Sequence, residues 1–263
     1  AVNTSGWEFL LPSHKRLRWS ILGEKRIGIH QLGLRADFVG TEQAGHQEPL
    51  YNSDGSVAGV DQRTAFMQRL IPGGMASWIV HLDPASNEWN GTASLVIYTR
   101  APSNYELGAN GIHHGTFRFE QGNSSLRSEK SMEARFQAHS RTNQNHWSWR
   151  IQAFSALHRD FISLSPSAQF APISHAGQVY IFESVHAFRT GLEASTSKTI
   201  GNWTASMSGS LLGQWNIASG LGLPFTTPAQ MQTTIERRIG KSHHVSVSSR
   251  SIAAANLTAR NEN

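Results

Sequence analysis

Histidine is the most chemically suggestive residue type in this 263-residue sequence, with 13 copies. Two pairs are adjacent, His113-His114 and His243-His244. Neighbours on a strand point to opposite faces, so neither pair can grip one ion from regular β-structure. His139 and His146 have a hairpin-like separation, yet no acidic third ligand stands at a defined spacing from them. His158-Arg159-Asp160 spells the catalytic tripeptide of protein kinases, but Ser165 occupies the place of the required Asn and no glycine-rich loop or DFG accompanies it. Phosphate-loop, nucleophile-elbow and zinc-protease motifs are absent. Gly220-Leu221-Gly222 runs into Leu223-Pro224 rather than the helix start that phosphate binding needs. Glu183 and Glu193 lie near strands, but nothing sets them across a cleft as a glycosidase pair. Without cysteine there is no disulfide, thiolate metal site or Cys nucleophile, a composition that fits a reducing compartment. The expectation is a protein with no catalytic, metal-binding or cofactor-binding residues, and not an enzyme.

Charge offers one binding signal. Lys and Arg number 23 against 18 Asp and Glu, a net charge of +5 that permits a polyanionic partner without demanding one. Basic residues gather at Lys15-Arg16-Arg18, with Trp19 interleaved, at Lys25-Arg26 and at Arg237-Arg238-Lys241. Such groups can neutralise phosphates, and Lys15, Arg16 and Arg18 are the first choice for contacts with nucleic-acid phosphates. Asn-x-Ser/Thr sequons occur at Asn3, Asn90, Asn123, Asn202 and Asn256, a number expected by chance in a Ser/Thr-rich chain. No apolar run reaches the length of a membrane helix. Ala1–Phe9 does not have the make-up of a signal peptide, and a start at Ala rather than Met suggests release from a precursor.

The elements that would position these residues read at period two. Ala76, Trp78, Val80 and Leu82 alternate with polar neighbours, and Asp83-Pro84 stops the pattern. Strands are expected near 75–82, 92–99, 131–140 and 146–154, with Trp78, Leu95, Phe136 and Trp149 as core residues. Further strands are expected near Leu17–Ile21, Thr116–Glu120, Phe161–Ser165, Val179–Phe188 and Val245–Val247. The longest alternation runs from Trp203 to Leu223, with Pro224 closing it. The stretch Gly40–Asp61 reads as a long loop, and Val60–Leu70, with Phe66, Met67 and Leu70, as the best helix. Short strands at irregular spacing predict an all-β fold, an antiparallel β-sandwich.

Several of these strands carry a resemblance. Leu70–Leu82 followed by Asn87–Thr99 resembles the central strands of picorna-like virus capsid jelly rolls, in which a small-residue turn precedes an alternating strand. The likeness continues through Gly115–Glu120, Asn143–Ala153, Phe161–Ser165 and Phe170–Ile173, and Ile217–Ile239 is similar to the family's C-terminal stretch. The chain thus resembles the small coat protein of comovirus-like plant viruses (Secoviridae). The resemblance implies a viral jelly roll over residues 1–176 and a C-terminal extension over 177–263. It also implies a structural capsid protein of the virion, assembled in the host cytoplasm from copies of itself and a larger coat protein into an icosahedral shell. Weak, sequence-independent contacts with viral RNA would fall on Lys15, Arg16 and Arg18, and no membrane would be involved.

Two other classes remain open. The Trp203–Leu223 alternation suits a hairpin of an outer-membrane β-barrel. Against it, Glu236-Arg237-Arg238 interrupts the next strand and the chain ends in Arg-Asn-Glu-Asn rather than an aromatic-terminated strand. A carbohydrate-binding β-sandwich, with Trp and His in a groove, is the other alternative.

Overall fold

The computed structural model describes residues 11, 13–83, 88–113, 115–140, 147–171, 177–240, 242–254 and 259. The strands in chain order are β1 (His14–Ile27), β2 (His30–Gln43), β3 (His46–Tyr51), β4 (Val57–Thr64), β5 (Met67–Leu82) and β6 (Trp89–Arg100). A short helix α1 (Asn104–Gly108) follows, then β7 (Asn110–His113), β8 (Arg118–Gln121), β9 (Glu129–Ser140) and β10 (Trp147–Phe170). The chain continues through β11 (Gln178–Ile200), β12 (Trp203–Asn216), β13 (Gln230–Ile239) and β14 (His243–Ile252).

The expectation of an antiparallel all-β chain holds. Ten long strands form one meander in the order β1-β2-β5-β6-β9-β10-β11-β12-β13-β14, and β7 and β8 bring the sheet to 12 strands. The strands expected near 75–82, 92–99 and 131–140 lie within β5, β6 and β9, and residues 147–154 of the fourth open β10. The second large sheet that a sandwich needs is missing among the described residues: the other sheet is the two-stranded β3–β4 hairpin. Residues on both sides of 176 belong to the same large sheet, because β10 and β11 pair from Trp147↔Lys198 to Phe170↔Gln178.

Two local expectations fail. Residues 40–61 are not one loop: β2 runs to Gln43 and β3 pairs with β4. Residues 60–70 are not helical but span the end of β4 and the start of β5. Phe66, Met67 and Leu70 have helix-like spacing, yet Leu70 pairs across the ladder with Gly40, so strand pairing overrides a weak local period.

The connections are asymmetric. At one end the chain turns tightly, through residues 28–29 between β1 and β2 and through 201–202 between β11 and β12. Gly28 and Gly201 both have φ of 58° at the first central position, a left-handed backbone that glycine adopts without strain. At the other end the connections are long: residues 44–66, which hold β3–β4; 101–128; and 217–229. There too β10 and β11 extend beyond their neighbours, since β9 pairs with β10 only as far as Lys130↔Arg159.

The buried apolar clusters sit in this extension, not under the sheet. Leu107 and Leu126 of the 101–128 insert pack with Ile162 and Phe182, while Ile112 and Phe119 pack with Val179. Ser103 caps α1 with a reciprocal capping box to Glu106. β8 then adds in parallel to the edge of β11 at Phe119↔Val179. Gly122 makes this packing possible: a Cβ there would approach the backbone nitrogens of Gly108 and Ala109 to 2.6 Å.

Candidate functional site

Because side chains alternate across a strand, the register divides the large sheet into two faces of opposite chemistry. Leu32, Trp78, Leu95 and Ala134 lie in one cross-strand row. Val80, Ala93, Phe136, Ala153, Leu192 and Leu211 form the next. Trp19, Leu34, Ile97, Met132, Leu157 and Met207 continue the same face, each at least 45% exposed. Trp78, Leu95 and Phe136, expected in a core, are 47%, 39% and 39% exposed, and Trp149 is half-buried on that face. The core assignment is therefore wrong for these residues, although their shared face is right. Nothing in the described structure covers them.

Ionisable groups on this apolar face stand only at its two ends. β2 presents Leu32, Leu34, Ala36, Phe38 and Gly40 before reaching Glu42. β9 presents Met132, Ala134, Phe136 and Ala138 beyond Lys130. On β13 the first charge is Arg237, set over the Trp203 ring at 5.0 Å near the tight-turn end. The Glu236-Arg237-Arg238 run thus does not interrupt the band. Glu236 and Arg238 take the opposite face, and Arg237 marks its rim. Aromatic residues mark the other rim as well, where Phe188 and Trp215 stack with centroids 5.9 Å apart.

The opposite face carries most of the polar residues, with Ile79, Val96, Phe154 and Leu212 among them. On β11 to β14 it carries hydroxyls and amides in cross-strand contact. Ser206 Oγ donates to Ser197 Oγ at 3.0 Å, and Thr234 Oγ1 and Ser248 Oγ lie 2.9 Å apart. Arg189 donates to Gln214 at 2.6 Å, and Arg250 donates to Gln230 at 2.6 Å. Toward the long-connection end charged nodes appear. Asp37, buried, accepts from Ser20 Oγ at 2.6 Å and from Arg35 Nε at 3.0 Å, and pairs with Arg18 at 3.0 Å. Glu129, also buried, pairs with Arg100 at 3.0 Å, and His158 Nδ1 lies 3.3 Å from its other oxygen. The Ile162 amide donates to the same carboxylate at 3.4 Å. Arg100 reaches onward to Glu106 of α1 at 3.0 Å.

The 101–128 insert is tied across this polar face. Arg16 donates to the Pro102 carbonyl at 2.7 Å, Thr41 to Asn104 at 2.8 Å and Arg69 to the Leu126 carbonyl at 2.9 Å. On its far side β8 holds β11. Within the insert, the Tyr105 hydroxyl donates to Glu120, whose carboxyl burial pushes above the ordinary range. The insert is thus a cap anchored to both halves of the sheet at the long-connection end.

The three basic residues singled out in the sequence do not form one group. Arg16 and Arg18 share the polar face, where Arg16 holds the cap and Arg18 holds Asp37. Lys15 falls on the opposite face, 3.9 Å from Glu42. Glu183 and Glu193 are both on β11, about 33 Å apart at strand spacing, so they cannot act as a carboxylate pair. His146 lies outside the described residues. Sequence reasoning missed Asp37, Arg100, Glu129 and His158. Only Glu129, with Ser131 and Glu133 at the next alternate positions, carries even the pattern of a polar strand face, and a solvated surface gives that too.

No protein-family model and no curated protein matches the chain. Solved structures do match its fold. The copper transporter OprC is similar over 95% of this chain, at 17% identity and a TM-score of 0.70. The FrpB iron transporter from Neisseria meningitidis is similar over 91%, at 12% identity and 0.55. The siderophore receptor PirA from Acinetobacter baumannii is similar over 91%, at 13% identity and 0.53. The chain spans 36% of OprC, 33% of FrpB and 43% of PirA, well under half of each. Identities this low bear on the fold. They overturn the comovirus coat-protein resemblance and, with it, the icosahedral shell, the larger coat-protein partner, the RNA contacts and the virion location. Alternating strands with small-residue turns are common to jelly rolls and membrane barrels, which is how the resemblance arose.

Proposed function

We propose that this chain forms part of the wall of an outer-membrane β-barrel of the transporter and receptor type, with its apolar face toward lipid and its polar face toward the lumen. One observation carries the reading: an apolar face that, among the described residues, has charges only at its ends and no layer packed against it. A soluble domain would leave that face in water, where large apolar patches drive association. In a bilayer it is the solvated face. The long and short connections agree, because outer-membrane barrels have short periplasmic turns and longer extracellular loops. The cap then lies on the extracellular side, across the mouth. β1 and β14 each have one unpaired edge among the described residues, and hydrocarbon does not tolerate open edges, so further strands complete the barrel.

The proposed role is passage or capture of a solute at the capped, charge-lined mouth, without catalysis. The named metal and siderophore cargoes belong to the similar structures; for this chain they define the class of solute to try first. Flotation of membranes from producing cells tests the membrane assignment. The chain should float with the lipid and stay with it through an alkaline carbonate wash. Recovery as a soluble monomer would reject the reading.

A further inference from the structure

The rim of the apolar face at the long-connection end holds an arrangement that the barrel wall does not need. Lys130 and Arg159 are directly opposed across the β9–β10 ladder, one position beyond the apolar pair Met132↔Leu157. Both are exposed. Like charges placed directly opposite in an antiparallel pair repel. Lys130's other neighbour, Thr99 of β6, brings no charge. Among the described residues the carboxylate paired with Arg159 is Asp160, 4.0 Å from its Nε, and Arg127 competes for that carboxylate at 3.6 Å. Asp160 sits at a bulge with φ of 56°, its side chain buried, so it cannot swing out to neutralise the pair. Glu129, adjacent in sequence, is held on the other face by Arg100 and His158. Arg127 and Arg159 therefore share one anion, and no described carboxylate pairs with Lys130.

Farther along the same face, past Met132 and Leu157, lies a shallow trough of about 1010 Å³ whose lining includes Leu95, Ala134, Phe136, Ala153 and Leu192. Ala134 is two residues along β9 from Met132, so the trough begins about 13 Å from Lys130 at strand spacing. A double cation on the same face as an apolar trough suits an amphiphile with a phosphate at one end and acyl chains at the other. We infer that Lys130 and Arg159 form a binding site for the phosphorylated headgroup of a lipid in the surrounding outer leaflet, with an acyl chain in the trough below. The inference rests on the barrel reading, since only a bilayer brings such a lipid to this face. The phosphate relieves the repulsion between the two cations, which explains why they are tolerated in direct opposition.

The test is native mass spectrometry of the protein released from vesicles of phosphatidylcholine containing a minor fraction of lipid A, a phosphorylated acylated disaccharide. Parallel arms use dephosphorylated lipid A and inorganic phosphate alone. The wild-type chain should retain lipid A in preference to the dephosphorylated form, and inorganic phosphate should not displace it. Each of Lys130→Gln and Arg159→Gln should weaken retention about five-fold, and the double variant about 25-fold. Lys130→Arg should keep retention. Unchanged retention in the double variant, or equal retention of the dephosphorylated lipid, overturns the site while leaving the barrel intact. Displacement by inorganic phosphate makes it a free-anion site and also overturns the proposal. The dephosphorylated-lipid arm needs no substitution, so it decides the matter even if a variant folds poorly. Failure of the wild-type chain to enter vesicles would instead count against the barrel reading itself.

Discussion

Leu192→Arg is expected to destabilise the membrane-inserted protein by about 2–4 kcal/mol, the cost of an arginine on the lipid face near mid-bilayer. Leu192 pairs with Ala153 on one side and Leu211 on the other, in the row that also holds Val80, Ala93 and Phe136, far from either charged rim. An arginine there has no counter-ion within the row and only apolar neighbours. Ser197→Arg, on the same strand but on the polar face beside Ser148 and Ser206, should cost far less, because that face is already hydrated. Urea titration of both variants in vesicles measures the difference. On a water-exposed face both substitutions would fall within about half a kcal/mol of wild type. The contrast between adjacent faces of one strand therefore reports what the apolar face meets.

Glu129→Ala is expected to cost about 1–3 kcal/mol, the usual penalty for leaving a buried polar group without its partner. Glu129 and His158 are nearly inaccessible, and Glu129 pairs with Arg100, accepts from the Ile162 amide and lies 3.3 Å from His158 Nδ1. Its loss takes that acceptor from the buried Ile162 amide, although Arg100 keeps Glu106. Ile162 is part of the cluster with Leu107 and Leu126, so the damage should spread into the cap. Glu129→Gln should be milder, because an amide can still accept from Arg100 and from the Ile162 amide. Limited proteolysis within 101–128, together with a denaturation midpoint, measures both effects. If Glu129→Ala left the cap as resistant as wild type, the node would not be what holds the cap down.

The strands were legible because alternation is local. Trp78, Val80 and Leu82 announce a strand with one apolar face whatever that face meets. What the face meets was not legible, since a core and a bilayer impose the same period-two pattern. Trp78, Leu95 and Phe136 fit a core by a pattern that lipid explains equally well. The distinguishing feature is non-local: on β2, β9 and β13 alike, charges keep to the ends of the apolar face, and this is visible only once the register aligns the strands. The same point applies to Glu236-Arg237-Arg238, a break when read along the chain and a rim when read across the sheet. Lys15, Arg16 and Arg18 look like a cluster in sequence, but the pleat sends Lys15 to one face and the two arginines to the other. The Glu129 node joins β6, α1, β9 and β10, so no window of sequence could assemble it.

The absence of cysteine makes the central claim open to a direct measurement, because each introduced thiol is the only one. Single-cysteine variants at Ser124 and Ala218, exposed at the long-connection end, are compared with variants at Ile29 and Asn202, exposed in the tight turns, and with Leu192→Cys on the apolar face. Producing cells are treated with a charged, membrane-impermeant maleimide before and after the outer membrane is permeabilised. A barrel in the proposed orientation labels at 124 and 218 in intact cells, at 29 and 202 only after permeabilisation, and at 192 in neither. Labelling of Leu192→Cys as readily as Ser124→Cys, or the same labelling at both ends of the strands in intact cells, would contradict a membrane-spanning sheet.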